Sequence, residues 1–366
     1  METLYLNHAG TSWPKPSPVF ETAERAAKEP PASWPASFDS LHEKVCHFFN
    51  VKDKKRLLLA PSATGALSFA IHHFPFAGSD LVLTSSFEHQ AVMGPLATLF
   101  AKDVLVERLS FTKEKALDTK DLVTYLQKGK TKLVVMTAAC NVTGEILPYK
   151  EVISLCQKYG VRVLLDASQV AGYLDLDFPL LGADYIVFTG HKGLLAPTGI
   201  AGLYVKEGAP LLMGGASCDT GEAQGCLVPS YCDIGSVNRL ALSGLGASVG
   251  FLARESLDKR LLGLREKSDA LFERLSKIKS LSVLRYKKQN NLPTLCMVLK
   301  SGDTKKVADF LTSQNCHVAA GFQCSPQSYA SLGAFKQGGL RVSFGYGNSM
   351  ESVSRFYDLL LKALKM

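Results

Sequence analysis

The sequence predicts an α/β protein, with a mainly parallel, mixed sheet flanked by helices in a large domain and a smaller α+β domain. Short, continuous apolar runs alternate with helical stretches from about residue 17 to residue 250. Strands that are apolar throughout are typical of parallel sheets covered by helices on both faces. Beyond residue 250, a long charged helix precedes further short strands, which indicates α+β architecture. We therefore expect a large domain over 17–250 and a small domain formed by 1–16 and 251–366.

Seven apolar runs predict the strands of the large domain: 57–59, 80–84, 104–107, 132–137, 161–165, 184–188 and 199–205. A turn at Pro61-Ser62-Ala63-Thr64-Gly65 precedes a helix predicted from Ala66, and another helix is predicted near 149–159. The small domain is expected to contain the following elements: helices 252–278 and 303–314, strands 281–284, 294–299 and 339–344, and a last helix after Ser349. Ligands of such sheets bind beyond the carboxyl ends of the strands, so we expect the functional residues there.

Composition excludes several classes of protein. The chain has 366 residues, of which 46% are hydrophobic, enough for a sizeable core. No apolar run approaches the roughly 18 residues that a membrane span needs. The basic residues behind the net charge of +8 are dispersed, which favours a solvated surface over a nucleic-acid interface. We therefore expect neither a membrane nor a nucleic acid as a partner.

The cysteines indicate a reducing compartment. There are nine of them, an odd number, and they are scattered along the chain. Cys218, Cys226 and Cys232 fall in one stretch, but their spacing does not fit the common zinc pairs, so we expect no metal. The N-terminus lacks a basic region followed by an apolar stretch. We expect a cytoplasmic protein.

An acid and a lysine follow two of the predicted core strands. Asp166 ends the run 161–165, and Lys192 follows the run 184–188 within Thr189-Gly190-His191-Lys192. Charged groups at the ends of buried strands are costly unless a ligand lies between them. A pyridine aldehyde cofactor needs both groups, a lysine for its Schiff base and an acid for its pyridinium nitrogen.

Other polar residues near strand ends fit the same ligand, although each has a structural alternative. Thr64 and Gly65 stand where a strand turns into a helix, a place that favours a phosphate but also suits a plain N-cap by Ser62 or Thr64. His89 can stack on an aromatic ring, or it can be a structural histidine whose hydrogen bonds are satisfied within the protein. Asn141 and Gln169 can hydrogen-bond a ring hydroxyl or belong to turns.

Taken in order, these motifs resemble the class V, fold-type I pyridoxal-phosphate enzymes, specifically the branch of cysteine desulfurases and selenocysteine lyases. The opening Asn7-His8-Ala9-Gly10-Thr11-Ser12-Trp13-Pro14-Lys15-Pro16 is similar to the N-terminal segment of that branch. The resemblance covers nearly the whole chain and rests on five further motifs: Ser62-Ala63-Thr64, Glu88-His89, Asn141-Val142-Thr143-Gly144, Asp166-Ala167-Ser168-Gln169 and Thr189-Gly190-His191-Lys192.

The resemblance implies pyridoxal 5′-phosphate as cofactor and a role for each residue around its ring. Lys192 binds the cofactor covalently and moves protons, while Asp166 pairs with the pyridinium nitrogen. His89 stacks on the ring. Gln169 contacts the ring hydroxyl, and Asn141 lies near that hydroxyl and near the substrate carboxylate. These roles agree with the chemistry, because a charged ring stabilises a carbanion at Cα.

The resemblance also implies how the phosphate is held and that the enzyme is a homodimer. Thr64, Thr189 and His191 bind the phosphate within one subunit. Ser236 stands where the family commonly has a threonine that reaches the phosphate of the neighbouring subunit. Each active site of the dimer is then composed of residues from both chains.

Cys324 and Arg341 indicate which substrate the chain acts on. In the family that this chain resembles, a cysteine at this place attacks the sulfur of L-cysteine, and an arginine grips the substrate carboxylate. A guanidinium suits a carboxylate because it can make two parallel hydrogen bonds. The resemblance therefore implies conversion of L-cysteine to L-alanine, with a persulfide left on Cys324 for an acceptor protein.

The chain departs from the family near this cysteine. Ala319 stands where the family commonly has arginine, and Gln323 stands where it has histidine, so neither offers a cation to a thiolate. Residues 214–234 also differ from the family beyond Gly214-Gly215. Three alternatives stay open: Cys324 as a packing residue, other class V chemistry that does not use it (a selenocysteine lyase, aminotransferase, epimerase or β-lyase), and a low-activity scaffold in a sulfur-transfer complex.

Overall fold

The fold is described from a computed structural model of the chain. It describes residues 2–112, 116–210, 234, 236–336 and 338–365. The three cysteines of the 218–232 stretch lie outside the described residues, as does most of the segment 214–234. None of the helices in these ranges combines the length and the apolar character that crossing a bilayer requires.

Strands form one large and two small sheets. In chain order the strands are β1 (Leu4–Tyr5), β2 (Leu57–Ala60), β3 (Leu81–Thr84), β4 (Leu105–Arg108), β5 (Thr131–Thr137), β6 (Arg162–Asp166), β7 (Tyr185–Thr189), β8 (Ala201–Val205), β9 (Leu281–Val283), β10 (Thr294–Leu299), β11 (Cys316–His317), β12 (Ala319–Gly321) and β13 (Gly339–Ser343). The central sheet has the order β2-β8-β7-β6-β5-β3-β4. Its strands β7, β6, β5, β3 and β4 are parallel, whereas β8 is antiparallel to both of its neighbours.

Helices cover the central sheet and the smaller sheets. They are α1 (Ser17–Lys28), α2 (Trp34–Phe48), α3 (Ala63–His72), α4 (Gln90–Thr98), α5 (Thr119–Gln127), α6 (Tyr149–Lys158), α7 (Phe178–Leu181), α8 (Arg239–Leu252), α9 (Leu257–Leu275), α10 (Thr304–Ser313), α11 (Pro326–Ser331) and α12 (Met350–Ala363). Short 3₁₀ turns stand at Pro31–Ser33, Lys54–Arg56 and Leu99–Lys102.

Successive side chains of the central strands enter two different apolar cores. On β2, Leu57 and Leu59 belong to the core on one face, and Leu58 and Ala60 belong to the core on the other. This alternation follows from the two-residue period of a strand. Because both faces are buried, the strands read as continuous apolar runs, and the predicted fold class is confirmed.

The N-terminal and C-terminal parts of the chain pack together. The sheet β12-β13-β10-β9 is antiparallel, while β1 pairs in parallel with β11. Asn7 forms a further parallel bridge with Ser343, at the end of β13. These contacts bring the N-terminal segment beside β13. The division into domains at residues 16 and 250 stays a prediction.

Two predicted helix boundaries are wrong for local reasons. The helix predicted to begin at Ala66 begins at Ala63, because the Ser62 side chain accepts a hydrogen bond from the Gly65 N–H (3.1 Å) and caps it there. The helix predicted over 252–278 is interrupted between Leu252 and Leu257, where Ser256 caps a new helix through the Lys259 N–H. The predicted strand boundaries differ from the observed ones by at most two residues, and the strand predicted over 294–299 has the predicted bounds.

Candidate active site

A cavity of roughly 550 Å³ lies beyond the carboxyl ends of the central parallel strands. Such a volume is within the range of small-molecule sites. Ten of the twelve residues singled out from the sequence line it: Thr64, His89, Asn141, Asp166, Gln169, Thr189, His191, Lys192, Cys324 and Arg341. Gly65 and Ser236 do not line it.

The acid and the lysine come from neighbouring parallel strands. Asp166 is the last residue of β6, where it is buried and pairs across the ladder with Val187 of β7. One oxygen of its carboxylate accepts a hydrogen bond from the Ser168 N–H at 2.9 Å. Lys192 lies in the turn that joins β7 to the antiparallel β8. The register of this strand pair therefore brings both groups into one cavity.

The environment makes the Lys192 amine easier to deprotonate than an ordinary lysine. Burial lowers the pKa of Lys192 to about 8, and the positive charge of Arg341 contributes in the same direction. Asp166 and the Cys324 thiol oppose this lowering of the pKa. A lysine that loses its proton near neutral pH can act both as a nucleophile and as a base.

A hydrogen bond from the backbone favours the neutral form of His89. Its Nδ1 accepts a hydrogen bond from the Ala91 N–H at 3.0 Å and so caps α4. The proton of the neutral ring is then on Nε2. Burial lowers the pKa of His89, and the charge of Lys192 lowers it further. The structural alternative and the functional one are compatible, because the capping histidine still lines the cavity.

One end of the cavity is suited to an anion. It combines Thr64 in the first turn of α3 with Thr189 and His191 from the end of β7. Burial lowers the pKa of His191 to about 4, with Lys192 and Lys15 adding to the effect. The helix N-terminus carries a partial positive charge, which favours a phosphate at this end.

Arg341 occupies the middle of β13 and is 3% exposed. Its Nη1 donates to the Asn141 carbonyl oxygen at 2.8 Å, and its Nη2 donates to Asn7 Oδ1 at 2.8 Å. These neutral acceptors orient the guanidinium without neutralising its charge. A carboxylate that enters the cavity therefore meets a fixed, fully charged arginine.

Cys324 lies on a short loop between β12 and α11 that is anchored to the rest of the site. The Cys324 carbonyl accepts a hydrogen bond from the Gln90 N–H (2.8 Å), and the Gln323 carbonyl accepts one from Asn141 Nδ2 (2.8 Å). Ser325 Oγ donates to Asn141 Oδ1 at 2.6 Å. These bonds hold the backbone of Gln323 and Cys324 at φ values of 43° and 57°, in the left-handed region that such residues rarely adopt.

The side chain of Gln323 adds to this anchoring. Its amide nitrogen donates to the carbonyl oxygens of Gly321 (2.7 Å) and Gly339 (3.1 Å), and its oxygen accepts from the Tyr329 hydroxyl. Gln323 therefore ties the loop to β12, β13 and α11. The sequence indicated only the loss of a cation at this position, because the three partners come from other elements.

The remaining residues from the sequence analysis have simpler positions. Gln169 lines the cavity and donates from Nε2 to the Ala9 carbonyl at 3.2 Å, which joins it to the N-terminal segment. Ser236 is exposed and lies just before α8.

Sequence reasoning missed the role of Glu88. This side chain is 1% exposed, and its Oε1 accepts hydrogen bonds from the Ser85 hydroxyl and from the Thr137 N–H, the latter at 3.0 Å. Burial raises the pKa of Glu88 to about 8, and the charge of Asp166 contributes in the same direction. Glu88 therefore links β5 to the segment of His89. Its place in the Glu88-His89 motif was the one available signal.

The residues present fit pyridoxal phosphate. Three buried polar atoms that belong to cavity-lining residues have no hydrogen-bond partner among the described residues: His191 Nδ1, Ser168 Oγ and Arg341 Nε. Buried polar atoms normally have partners, so these three indicate space for polar groups of a ligand. A phosphate near His191, a pyridinium nitrogen at Asp166, an aldehyde at Lys192 and an amino-acid carboxylate at Arg341 would each meet a chemically complementary side chain.

Comparison with known proteins agrees with this assignment. Residues 20–356 match the family described as Aminotransferase class-V. A probable cysteine desulfurase of Vibrio cholerae is 28% identical over 349 residues, which cover 90% of this chain and 83% of that protein. A probable cysteine desulfurase of Methanothermobacter thermautotrophicus is 26% identical over 379 residues, covering 98% and 94% of the two chains.

Solved structures agree with the fold. The chain superposes on the apo structure of a cysteine desulfurase from Thermococcus onnurineus with a TM-score of 0.90, at 22% identity, covering 99% of this chain and 95% of the other. It superposes on a cysteine desulfurase from Escherichia coli with a TM-score of 0.87, also at 22% identity and with the same coverage of both chains.

We predict that Lys192 of the cofactor-free protein reacts as a neutral amine at unusually low pH. Its rate of reductive methylation, mapped by mass spectrometry, should reach half of its maximum near pH 8, whereas an ordinary lysine does so near 10.5. Asp166→Asn should move the midpoint to lower pH, because the carboxylate favours the charged amine. A midpoint for Lys192 equal to that of exposed lysines would contradict the prediction.

We predict that Glu88 makes stability fall as the pH rises. Its pKa is higher in the folded protein than in the unfolded one, so its contribution is complete below about pH 4.5 and is lost as the pH rises to about 8. Glu88→Gln removes this loss. The difference in unfolding free energy between Glu88→Gln and the parent protein should therefore grow in favour of the variant as the pH rises, by as much as about 1.4 kcal/mol per pH unit over this range.

Urea denaturation of the cofactor-free proteins between pH 5 and pH 8.5 measures this difference. Glu107→Gln is the matched control, because Glu107 is exposed on β4. Parallel stability profiles for Glu88→Gln and the parent protein would show that Glu88 is ionised in the folded state.

Proposed function

Because the chain belongs to the aminotransferase class-V family, we propose that it is a cysteine desulfurase that converts L-cysteine to L-alanine and collects the sulfur as a persulfide on Cys324. The family makes it a pyridoxal-phosphate enzyme, as the motifs predicted. Curated relatives named as probable cysteine desulfurases match over most of their own length. Both observations support an enzyme of the desulfurase type.

The observation that carries the choice of substrate is a single cavity shared by Lys192, Arg341 and Cys324. An α-amino acid needs a partner for its carboxylate, a base for its Cα proton and, for sulfur transfer, a nucleophile beside its side chain. The three residues supply these functions in one cavity, in which the Cys324 side chain is exposed to solvent. A class V enzyme with other chemistry would need the first two residues but not the thiol.

The roles of the residues follow from their chemistry. Arg341 binds the substrate carboxylate through its guanidinium, and Lys192 accepts the proton from Cα when its amine is neutral. Bound pyridoxal phosphate supplies an aldehyde for covalent attachment and an electron sink that stabilises negative charge at Cα. Asp166 keeps the ring nitrogen protonated, and neutral His89 offers a flat ring for stacking.

Sulfur transfer to Cys324 balances without an external oxidant. The Cys324 thiolate attacks the substrate Sγ, so that an S–S bond forms while the substrate Cβ–Sγ bond breaks. The electron pair of the broken bond stays with the carbon skeleton, and protonation at Cβ gives alanine. Cys324 is thereby oxidised to a persulfide, which a thiol of an acceptor protein can take up.

We also propose that the active enzyme is a homodimer in a reducing, cytoplasmic environment. Ser236 is exposed, and it precedes α8 at a position where the resemblance implies contact with the partner's phosphate. All six cysteines for which the structure describes a thiol are free, which supports a reducing compartment. A domain over 17–250, with 1–16 and 251–366 forming the other, remains our proposal for the organisation of the chain.

We predict that Cys324→Ser abolishes sulfur transfer but leaves cofactor binding intact. Incubation of the parent protein with L-cysteine should add one sulfur atom to the intact mass, and the addition should map to Cys324. The serine variant should gain no sulfur and keep the absorption spectrum of the bound cofactor. Full sulfur release by Cys324→Ser would favour an aminotransferase, epimerase or β-lyase that does not use this thiol.

We predict that Gln323→Ala slows persulfide formation by about tenfold or more. The variant loses three hydrogen bonds that hold Cys324 in a strained loop, and each neutral bond contributes about 1 kcal/mol. Rapid-quench measurement of persulfide on Cys324 tests this rate. Gln327→Ala, on the neighbouring helix α11, is the matched control. An unchanged rate in Gln323→Ala would show that the loop keeps its geometry without the side chain.

A further inference from the structure

The two loops that carry the acid and the lysine touch each other behind the cavity. The loop after β6 reaches Gly172, and the loop after β7 passes through Gly193, directly after Lys192. A Cβ atom added to Gly172 would lie 2.4 Å from the carbonyl carbon and oxygen of Gly193, and one added to Gly193 would lie 2.4 Å from the Ala171 carbonyl oxygen. The two backbones therefore meet with no room for a side chain at either position.

A single guanidinium bridges these backbones. Arg260, in the first turn of α9, donates from Nη1 to the Gly172 carbonyl oxygen at 2.5 Å and to the Gly193 carbonyl oxygen at 3.1 Å. The same guanidinium stacks over Tyr173, with its carbon 5.2 Å from the ring centroid. Nη1 carries two N–H groups, so one nitrogen atom satisfies both carbonyls.

We propose that Arg260 is a positioning residue that sets the distance between Lys192 and Asp166. Gly193 directly follows Lys192 in the chain, and Gly172 lies within the loop that follows Asp166 and leads to α7. A bridge between their carbonyls therefore restrains the two loops whose acid and lysine would hold a bound pyridine ring. Errors of about 1 Å in such an arrangement can cost roughly 100-fold in rate.

The other side of Lys192 is anchored as well, which makes the restraint effective. The His191 carbonyl oxygen accepts hydrogen bonds from the Ser12 N–H (2.8 Å), from Ser12 Oγ (3.0 Å) and from Thr11 Oγ1 (3.1 Å). The peptide group before Lys192 is therefore fixed by the N-terminal segment, and the peptide group after Gly193 is fixed by α9.

An arginine suits this bridge better than a lysine. Its planar guanidinium presents donors in fixed directions and stacks on Tyr173, whereas an ammonium is a point charge on a flexible stem. The inference rests on the pyridoxal-phosphate chemistry of the proposed function, but not on Cys324 or on the identity of the amino acid. It concerns the cofactor's lysine and acid alone.

The test compares Arg260→Met and Arg260→Lys with Arg274→Met. Arg274 is the matched control, because it is also on α9, donates to a hydroxyl (Ser354 Oγ, 3.2 Å) and stacks on a tyrosine (Tyr357, 5.7 Å), but touches neither loop. The readouts are the pH titration of the visible absorption of the bound cofactor, kcat and KM for L-cysteine, and the melting temperature.

We expect Arg260→Met to shift the midpoint of the absorption titration by more than about 0.5 pH unit. We also expect it to lower kcat about tenfold or more, with KM within about threefold of the parent value. Arg260→Lys should give intermediate values. Arg274→Met should lower the melting temperature to a similar extent while leaving the titration and kcat unchanged.

A parent-like titration and kcat in Arg260→Met, together with a lower melting temperature, would reduce Arg260 to a packing residue and overturn the proposal. Equal effects of Arg260→Met and Arg274→Met would do the same. Repeating the absorption titration in a Cys324→Ser background separates this question from the desulfurase assignment, because the titration does not depend on sulfur transfer.

Discussion

The pairing of β6 with β7 is the constraint on which the rest of the site depends. Its parallel register places Asp166 opposite Val187, so that the acid and the turn containing Lys192 emerge at the same edge of the sheet. A slip by one residue would turn every side chain of the strand to the other face. The two buried cores prevent such a slip, because each strand fills both of them with alternate side chains. The hydrophobic core therefore fixes the geometry of the polar site.

Asn141 connects the parts of the site that do not belong to this strand pair. Its backbone carbonyl accepts from Arg341, while its side chain bonds to the backbone of Gln323 and to the hydroxyl of Ser325. Asn141, a single residue in the loop after β5, thus joins the Arg341 guanidinium of β13 to the loop that contains Cys324. This arrangement explains how a loop with two left-handed, non-glycine residues keeps a single conformation.

The sequence predicts the groups that carry the chemistry better than the groups that hold them. Continuous apolar runs predicted the central strands, because strands buried on both faces leave a local signal. The acid, the lysine and the candidate phosphate-binding residues follow from their places at strand ends. Arg260, by contrast, sits in a charged helix whose pattern indicates only an amphipathic surface. Its partners Gly172 and Gly193 are 88 and 67 positions away along the chain, so no local pattern connects them.

The contact between the two ends of the chain has a consequence for the order in which the protein is assembled. Asn7 bonds to Arg341, and Leu4 pairs with Cys316, although these partners are separated by more than 300 positions. A ribosome makes the first partner of each pair long before the second. The central sheet can fold while synthesis continues, but the wall of the cavity that contains Arg341 closes only after β13 has emerged. Synthesis of the chain through β13 thus precedes a competent site for the amino acid.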